Sequence, residues 1–247
     1  MAHLSKRFAT LTSNVRSSNG LLPDGFTFFP RFFDTHERQL LLTAALSQLD
    51  ATENIRARRL QIDYRARNPI SDSDPDEHLF LPDCCYTFHE GHYDNVIRDY
   101  REMRLTSWPE SEFRGLTPVL DRLRALYPSK NTQTHLLHLA SSGEIFPHID
   151  NTSASGKWIL GVSLGSTRIL RMESPTSAVS ERFDIPLPSG SVYLQRDDIR
   201  YHWRHAILPS IDREMAKCAQ RISIMIRDCR EDNVGKVEAN TSHRFPG

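Results

Sequence analysis

Cysteine is scarce in this chain, four among 247 residues, at Cys84, Cys85, Cys218 and Cys229. None stands in a Cys-x-x-Cys or other zinc-ligand spacing, and adjacent Cys84 and Cys85 are poor partners for one another. The pattern reads as free thiols in a reducing compartment rather than a disulfide framework. Long apolar runs are missing too. Each is interrupted by charge within a few residues, so no stretch reaches transmembrane length. Nor is either sign of charge in excess, because 31 Lys and Arg balance 31 Asp and Glu. Net charge therefore gives no argument for a strongly nucleic-acid-binding protein. Internal repeats are absent, and the length suits one sizeable core better than two domains.

One local absence is informative. Met1 to Pro23 contains no acid, while Lys6, Arg7 and Arg16 are basic and Ser and Thr are frequent. Leu4, Phe8, Leu11 and Val15 fall on one helical face, which fits a mitochondrial transit peptide as well as it fits a mobile basic tail. The expected organisation is a basic segment over 1–22, one domain over 23–228 and a polar tail over 229–247.

Within that domain, Gly25 to Pro30 reads as a short strand entering the core. Asp34 and Glu37 form a capping-box pattern, starting a helix that buries Leu40, Leu41, Ala44, Ala45 and Leu49. Arg56, Arg58, Arg59, Arg65 and Arg67 follow as a solvated strand or helix face, phosphate contact being the other reading. The acidic stretch from Ser71 to Glu77 reads as a solvated loop. A second helix is expected over Tyr93–Met103. A third begins with Thr117 as N-cap and Pro118 at the first helical position, turning Val119, Leu120, Leu123 and Leu126 inward. Beyond residue 132 the character changes to short β-type runs: Thr134–Ala140, Trp158–Leu164, Thr167–Met172, Arg182–Ile185, Ser191–Gln195 and Arg221–Arg227. The fold class that follows is α+β, mainly β, a jelly roll flanked by N-terminal helices.

The chemistry concentrates on these strands. His148 and Asp150, two apart, would leave one face of a strand together. With a distal histidine they would complete a set of two histidines and one carboxylate on one face of a non-haem Fe(II), leaving the other face open. His202 and His205 both qualify as that third ligand. They are three apart, so on a strand they face opposite ways and only one reaches the metal. Downstream, Arg221 offers a planar cation able to grip a carboxylate in bidentate fashion.

Several motifs together resemble the AlkB family of Fe(II)- and 2-oxoglutarate-dependent dioxygenases, over roughly residues 20 to 228. They are Gly143-x-Ile145-x-x-His148-x-Asp150, Gly161-Val162-Ser163-Leu164, Gly190-Ser191-Val192-Tyr193, Arg200 through Leu208, and Arg221-x-Ser223-x-Met225-x-Arg227. The resemblance implies a double-stranded β-helix and iron held by His148, Asp150 and His205, with His202 only a neighbour. It also implies 2-oxoglutarate on Arg221, with Tyr193, Ser223 and Arg227 around it, and O2 as the other co-substrate.

Ser223 and Met225 stand where nucleic-acid demethylases of the family usually carry Asn and Thr, and His138-Leu139-Ala140 replaces their Asn-x-Tyr. His138 is read as structural, a hydrogen bond near the cofactor being the other reading. These departures resemble the mitochondrial AlkB branch linked to programmed necrosis and fatty-acid metabolism, which lacks the nucleotide-recognition lid. The substrate expected from the resemblance is a protein or another unidentified, non-duplex molecule. The alternatives are oxidative demethylation of N-methylated RNA or single-stranded DNA, and a non-catalytic binding module on the same fold.

Overall fold

The computed structural model describes residues 22–71, 74–153, 155–174, 181–209 and 219–229. All but the last residue of the expected leader over 1–22, Cys218 and nearly all of the polar tail lie outside the described residues. Among the described residues there are ten strands: β1 (Phe26–Phe29), β2 (His89–Gly91), β3 (Ile97–Leu105), β4 (Thr132–His148), β5 (Trp158–Gly165), β6 (Arg168–Glu173), β7 (Arg182–Leu187), β8 (Ser191–Arg196), β9 (Arg204–Ile207) and β10 (Arg221–Asp228). The α-helices are α1 (Thr35–Asp50), α2 (Ile55–Arg67), α3 (Leu116–Arg124) and a short α4 (Asp197–His202). Every pairing is antiparallel, in the order β1-β8-β5-β10-β4-β9-β6-β7, with β3 also on β4 and β2 on β3.

The long strand β4 is the pivot. Its first half lies between β10 and β3, and its far end pairs β9, after a register shift between Ile145 and His148. A strand that changes partners along its length curls the sheet, because a bulge sharpens the local twist. The curled sheet carries two layers of core. On one face, Leu160, Val162, Leu164, Ile222, Ile224 and Ile226 pack with Leu41, Leu42, Ala45 and Leu49 of α1 and Leu116, Leu120 and Leu123 of α3. On the other, Tyr193, Leu137 and Leu139 meet Leu170, Met172, Ile185 and Ile207. Because side chains alternate along a strand, β10 gives isoleucines to the first layer and Arg221, Ser223, Met225 and Arg227 to the inner face. Among the described residues no helix is long and apolar enough to cross a membrane.

The capping box forms as expected: Glu37 N–H donates to Asp34 Oδ1 and Asp34 N–H to Glu37 Oε2, both at 2.9 Å. Other elements differ from expectation. The helix expected over Tyr93–Met103 is strand β3, preceded by the turn after β2. Its period-two pattern is masked twice, by the irregularity at Asp99, which has φ 48°, and by a buried arginine, Arg101. Helix α3 starts two residues earlier than expected. Gly115, at φ 90°, is its N-cap, so Pro118 occupies the third helical position, where its missing N–H still costs no intrahelical bond. The acidic loop is not wholly solvated, since Asp76 is buried and accepts from Arg38 Nε (2.9 Å) and Ser189 Oγ (2.6 Å).

Candidate metal centre

His148 ends β4, and its ring is set by its own backbone. Nδ1 lies 2.9 Å from the Phe146 carbonyl oxygen, so it carries the proton and leaves the Nε2 lone pair for a metal. Asp150 is not on the strand; it follows in the loop after β4 and folds back toward His148. The expected same-face geometry of a continuous strand is therefore replaced by a turn that delivers the carboxylate. His205, on β9, is the register partner of His148 across the β4–β9 ladder, with the two rings 4.3 Å apart. His148 Nε2 stands 3.5 Å from Asp150 Oδ1, and His205 Nε2 stands 4.0 Å from Asp150 Oδ2. One ligand atom from each residue falls within a 4.8 Å cluster. Asp150 Oδ2 is buried without a hydrogen-bond partner, which suits a carboxylate that serves a cation.

The electrostatics follow from burial and proximity. Burial alone would raise the Asp150 pKa, but the His148 hydrogen bond and the charges of Arg227, His205 and His148 outweigh it, holding the carboxyl well below its usual range. Burial pushes His205 down to about 3, with the neighbouring His148 charge acting in the same direction. For His148, burial is outweighed by the hydrogen bond and charge of Asp150, and the net shift is upward. A buried neutral imidazole and an ionised carboxylate are the protonation states that metal ligation needs.

His202 is elsewhere. It closes α4, is exposed, and its Nδ1 is 2.7 Å from Asp198 Oδ1. The separation from His205 arises because one histidine is on a helix and the other on a strand. A cavity of about 1090 Å³ is lined by Thr152, Lys157, Tyr201 and His202 among others, but by none of His148, Asp150 and His205. Ligand geometry, not cavity size, marks the centre.

Arg221 is fully buried on the inner face of β10. Nε donates to Ser163 Oγ at 2.9 Å, Nη1 donates to Ser223 Oγ, and Nη2 has no partner. Among the described residues no carboxylate pairs with it. Burial, as the largest influence, lowers its pKa to about 10. A buried cation held only by two hydroxyls, with a donor to spare, suits the carboxylate of a bound anion. Tyr193 lies beside it, fully buried, its hydroxyl donating to Met225 Sδ at 3.6 Å and its ring stacked on Phe26. Arg227 Nη2 donates to Asp150 Oδ1 at 3.3 Å. The structure thus brings Tyr193, Arg221, Ser223 and Arg227 to the same side as the three ligands, through the alternation of β10 and its position two strands from β8.

Two supporting residues carried no assigned role in the sequence. Ser163 lies within Gly161-Val162-Ser163-Leu164, yet nothing in its type distinguishes it from a core serine. Arg200 is buried and donates to the Asp150 carbonyl (3.2 Å), the Asn151 carbonyl (3.4 Å) and Ser155 Oγ (2.6 Å), tying down the ligand loop. His138 is the structural histidine expected, donating through Nε2 to Gln220 Oε1 and accepting at Nδ1 from Arg101 Nε, both at 2.9 Å.

Comparison with known proteins gives a consistent picture. Residues 25–227 match a family described as the 2OG-Fe(II) oxygenase superfamily. The chain is 32% identical over 119 residues to the bovine alpha-ketoglutarate-dependent dioxygenase alkB homolog 7, mitochondrial, covering 47% of this chain and 52% of that protein. It is 30% identical over 121 residues to the mouse protein of the same name, with the same coverage. The chain thus spans about half the length of the curated relatives it matches. The solved structure of OsALKBH1 shares the fold, at a TM-score of 0.51 and 14% identity, over 84% of this chain and 98% of that one.

Proposed function

The chain belongs to the 2OG-Fe(II) oxygenase superfamily, and on that premise we propose that it is a dioxygenase coupling 2-oxoglutarate decarboxylation to hydroxylation of a protein or other non-duplex substrate. The observation that carries this reading is the pairing of a His148–Asp150–His205 cluster with a fully buried, uncompensated Arg221. The first suits a divalent metal and the second a dicarboxylate. Bound iron, with 2-oxoglutarate and O2, supplies the oxidising chemistry that yields succinate, CO2 and an oxidised C–H bond.

The protein's own part is position and charge. His148 presents Nε2 because Phe146 holds Nδ1, and Asp150 stays ionised under the influence of His148 and Arg227. Arg221 would hold the far carboxylate of 2-oxoglutarate through its unbonded Nη2, while Ser163 and Ser223 fix the guanidinium plane. Tyr193, whose hydroxyl rests on Met225 Sδ, would turn it to the same carboxylate, and Arg227 steadies Asp150. Orienting the co-substrate before reaction converts binding energy into rate.

The curled antiparallel sheet and the fold shared with OsALKBH1 support a double-stranded β-helix spanning residues 23–228. The relatives' designation as mitochondrial and the acid-free N-terminal composition together support a mitochondrial location. The test is a joint assay of succinate and formaldehyde with Fe(II), 2-oxoglutarate and N-methylated single-stranded RNA. Iron-dependent succinate that disappears in His148→Ala supports the dioxygenase, and none from the wild type defeats it. Formaldehyde in step with succinate would move the substrate to methylated nucleic acid.

A further inference from the structure

Three arginines stand among the largest fully buried side chains of the described residues: Arg168, Arg200 and Arg221. Arg200 holds the ligand loop, and Arg221 faces the co-substrate side. Arg168, the first residue of β6, is 1% exposed, and among the described residues it pairs with no carboxylate. Its guanidinium holds backbone instead. Nη2 donates to the carbonyls of Ala140 (3.2 Å), Ser141 (3.0 Å) and Ala219 (2.8 Å), and Nη1 donates to that of Leu208 (3.4 Å). Nε is buried without a partner.

These carbonyls belong to the strands that frame Arg221. In the sheet Arg221 lies between Leu139 of β4 and Gly165 of β5. Ala140 and Ser141 follow Leu139, and Ala219 lies two residues before Arg221. Arg168 itself stands three residues beyond Gly165, after a turn whose Ser166 N–H donates to the Gln220 carbonyl (3.0 Å). One side chain thus ties both neighbours of Arg221 to the strand that carries it. Ser141 extends the grip, its N–H and hydroxyl each donating to Asp83 at 3.1 Å. Backbone carbonyls can be satisfied by neutral donors, and a charge buried without a counterion is the costly way to do it. Burial lowers the Arg168 pKa, and the charges of Asp83 and Glu144 offset this only in part. The Arg168 charge in turn presses the Arg221 pKa down. Two buried cations that disfavour one another, with no paired acid, are relieved when an anion binds at Arg221.

We infer that Arg168 is a positioning residue for the co-substrate, fixing the strands from which Arg221 projects and lending a second positive charge to the far-carboxylate end of its site. This rests on the reading of Arg221 as the carboxylate site. The test is calorimetric titration of the full chain loaded with Zn(II), which has no redox chemistry and so permits binding without turnover. Two ligands are compared, 2-oxoglutarate and 2-oxopentanoate, the same keto acid with a methyl group in place of the far carboxylate. Arg168→Gln keeps a donor for the carbonyls and removes the charge. It should bind 2-oxoglutarate about tenfold more weakly, a coupling ordinary for neighbours in one network, and 2-oxopentanoate unchanged. Arg168→Lys, which keeps the charge, should stay within about threefold of the wild type. Added to Arg221→Met, Arg168→Gln should weaken 2-oxoglutarate no further. A second measurement needs no variant: the Arg168 Nε–H resonance of the wild type should move on adding 2-oxoglutarate and stay put with 2-oxopentanoate. Equal weakening of both keto acids, a full loss persisting in the Arg221→Met background, a lysine variant as weak as the glutamine one, or an unmoved resonance would each overturn the inference and leave Arg168 a brace of the fold. A wild type that does not prefer 2-oxoglutarate to 2-oxopentanoate would instead defeat the Arg221 reading itself.

Discussion

Gly161 and Tyr193 face one another across the β5–β8 ladder, and a Cβ on Gly161 would lie 2.3 Å from Tyr193 Cζ and 2.6 Å from its hydroxyl oxygen. Tyr193 crosses the inner face of the sheet over the space that glycine leaves open, which is how its hydroxyl reaches Met225 on the next ladder. The glycine is therefore a spatial requirement of the tyrosine and not a turn residue.

Gly161→Ala is expected to push Tyr193 off this path. Overpacking of this kind costs about 1–3 kcal/mol of stability. More tellingly, the KM for 2-oxoglutarate should rise while iron affinity stays put, because Tyr193 lies beside Arg221 and hydrogen-bonds Met225 Sδ rather than any of the metal ligands. Tyr193→Phe should reproduce the KM effect in milder form without the stability loss. Calorimetric titration of 2-oxoglutarate and thermal melts separate the two contributions. Unchanged 2-oxoglutarate binding in both variants would remove Tyr193 from the co-substrate site.

Arg221 presents a trade of stability for function. Its guanidinium is fully buried, has no carboxylate partner among the described residues and leaves Nη2 unbonded. Replacing an uncompensated buried charge by an apolar side chain of similar length relieves desolvation. Arg221→Met should therefore melt no lower than the wild type in the absence of 2-oxoglutarate. The same variant should lose about two orders of magnitude in 2-oxoglutarate affinity, as two charge-assisted hydrogen bonds to a carboxylate would disappear. A large drop in melting temperature would indicate that the arginine is there for the fold.

The two histidines of the Arg200–Leu208 segment divide cleanly. His205→Ala and His148→Ala should each abolish iron binding and succinate formation. His202→Ala removes an exposed ring paired with Asp198 and should leave iron content intact. Metal analysis of the three purified variants decides this, and loss of iron from His202→Ala alone would reverse the assignment.

How much of this was legible beforehand depended on whether a residue's type matched its environment. The isoleucines of β10, the leucines of α1 and the Asp34–Glu37 cap behave as their chemistry suggests, and the curled sheet and its helices follow from them. Strand β3 was hidden because Arg101 is buried, paired with Asp50 and Glu53 at 2.8 Å, where a pattern of apolar and polar residues reads any arginine as solvent-facing. At the centre, the identity of His148 and Asp150 was readable but their geometry was not. The loop that turns Asp150 back depends on Arg200, fifty residues away, bonding to its carbonyl. No spacing rule encodes such a long-range tether.

A histidine buried against Arg101 of β3 also makes the fold acid-sensitive. His138 is fully buried between Arg101 Nε and Gln220 Oε1, with Arg101 donating to Nδ1, so the ring must be neutral. Burial first, and then the Arg101 charge, hold its pKa well below the ordinary 6.5. In the unfolded chain His138 takes up a proton below about pH 6.5. The unfolded state then binds more protons than the native one, and stability falls as pH drops. His135, lowered to about 4 chiefly by burial, acts in the same direction. His148, whose pKa is raised, loses its stabilising contribution only as pH climbs above 6.5 and adds no slope below it. Asp50, also raised, titrates in the carboxylate range and favours the native state on acidification there. Between about pH 6 and 5 the wild type should lose close to 1.4 kcal/mol per pH unit more than His138→Gln, whose amide can still accept from Arg101 without titrating. Urea melts at stepped pH measure this directly, and parallel slopes for the two proteins would show that His138 is not the acid-sensitive group.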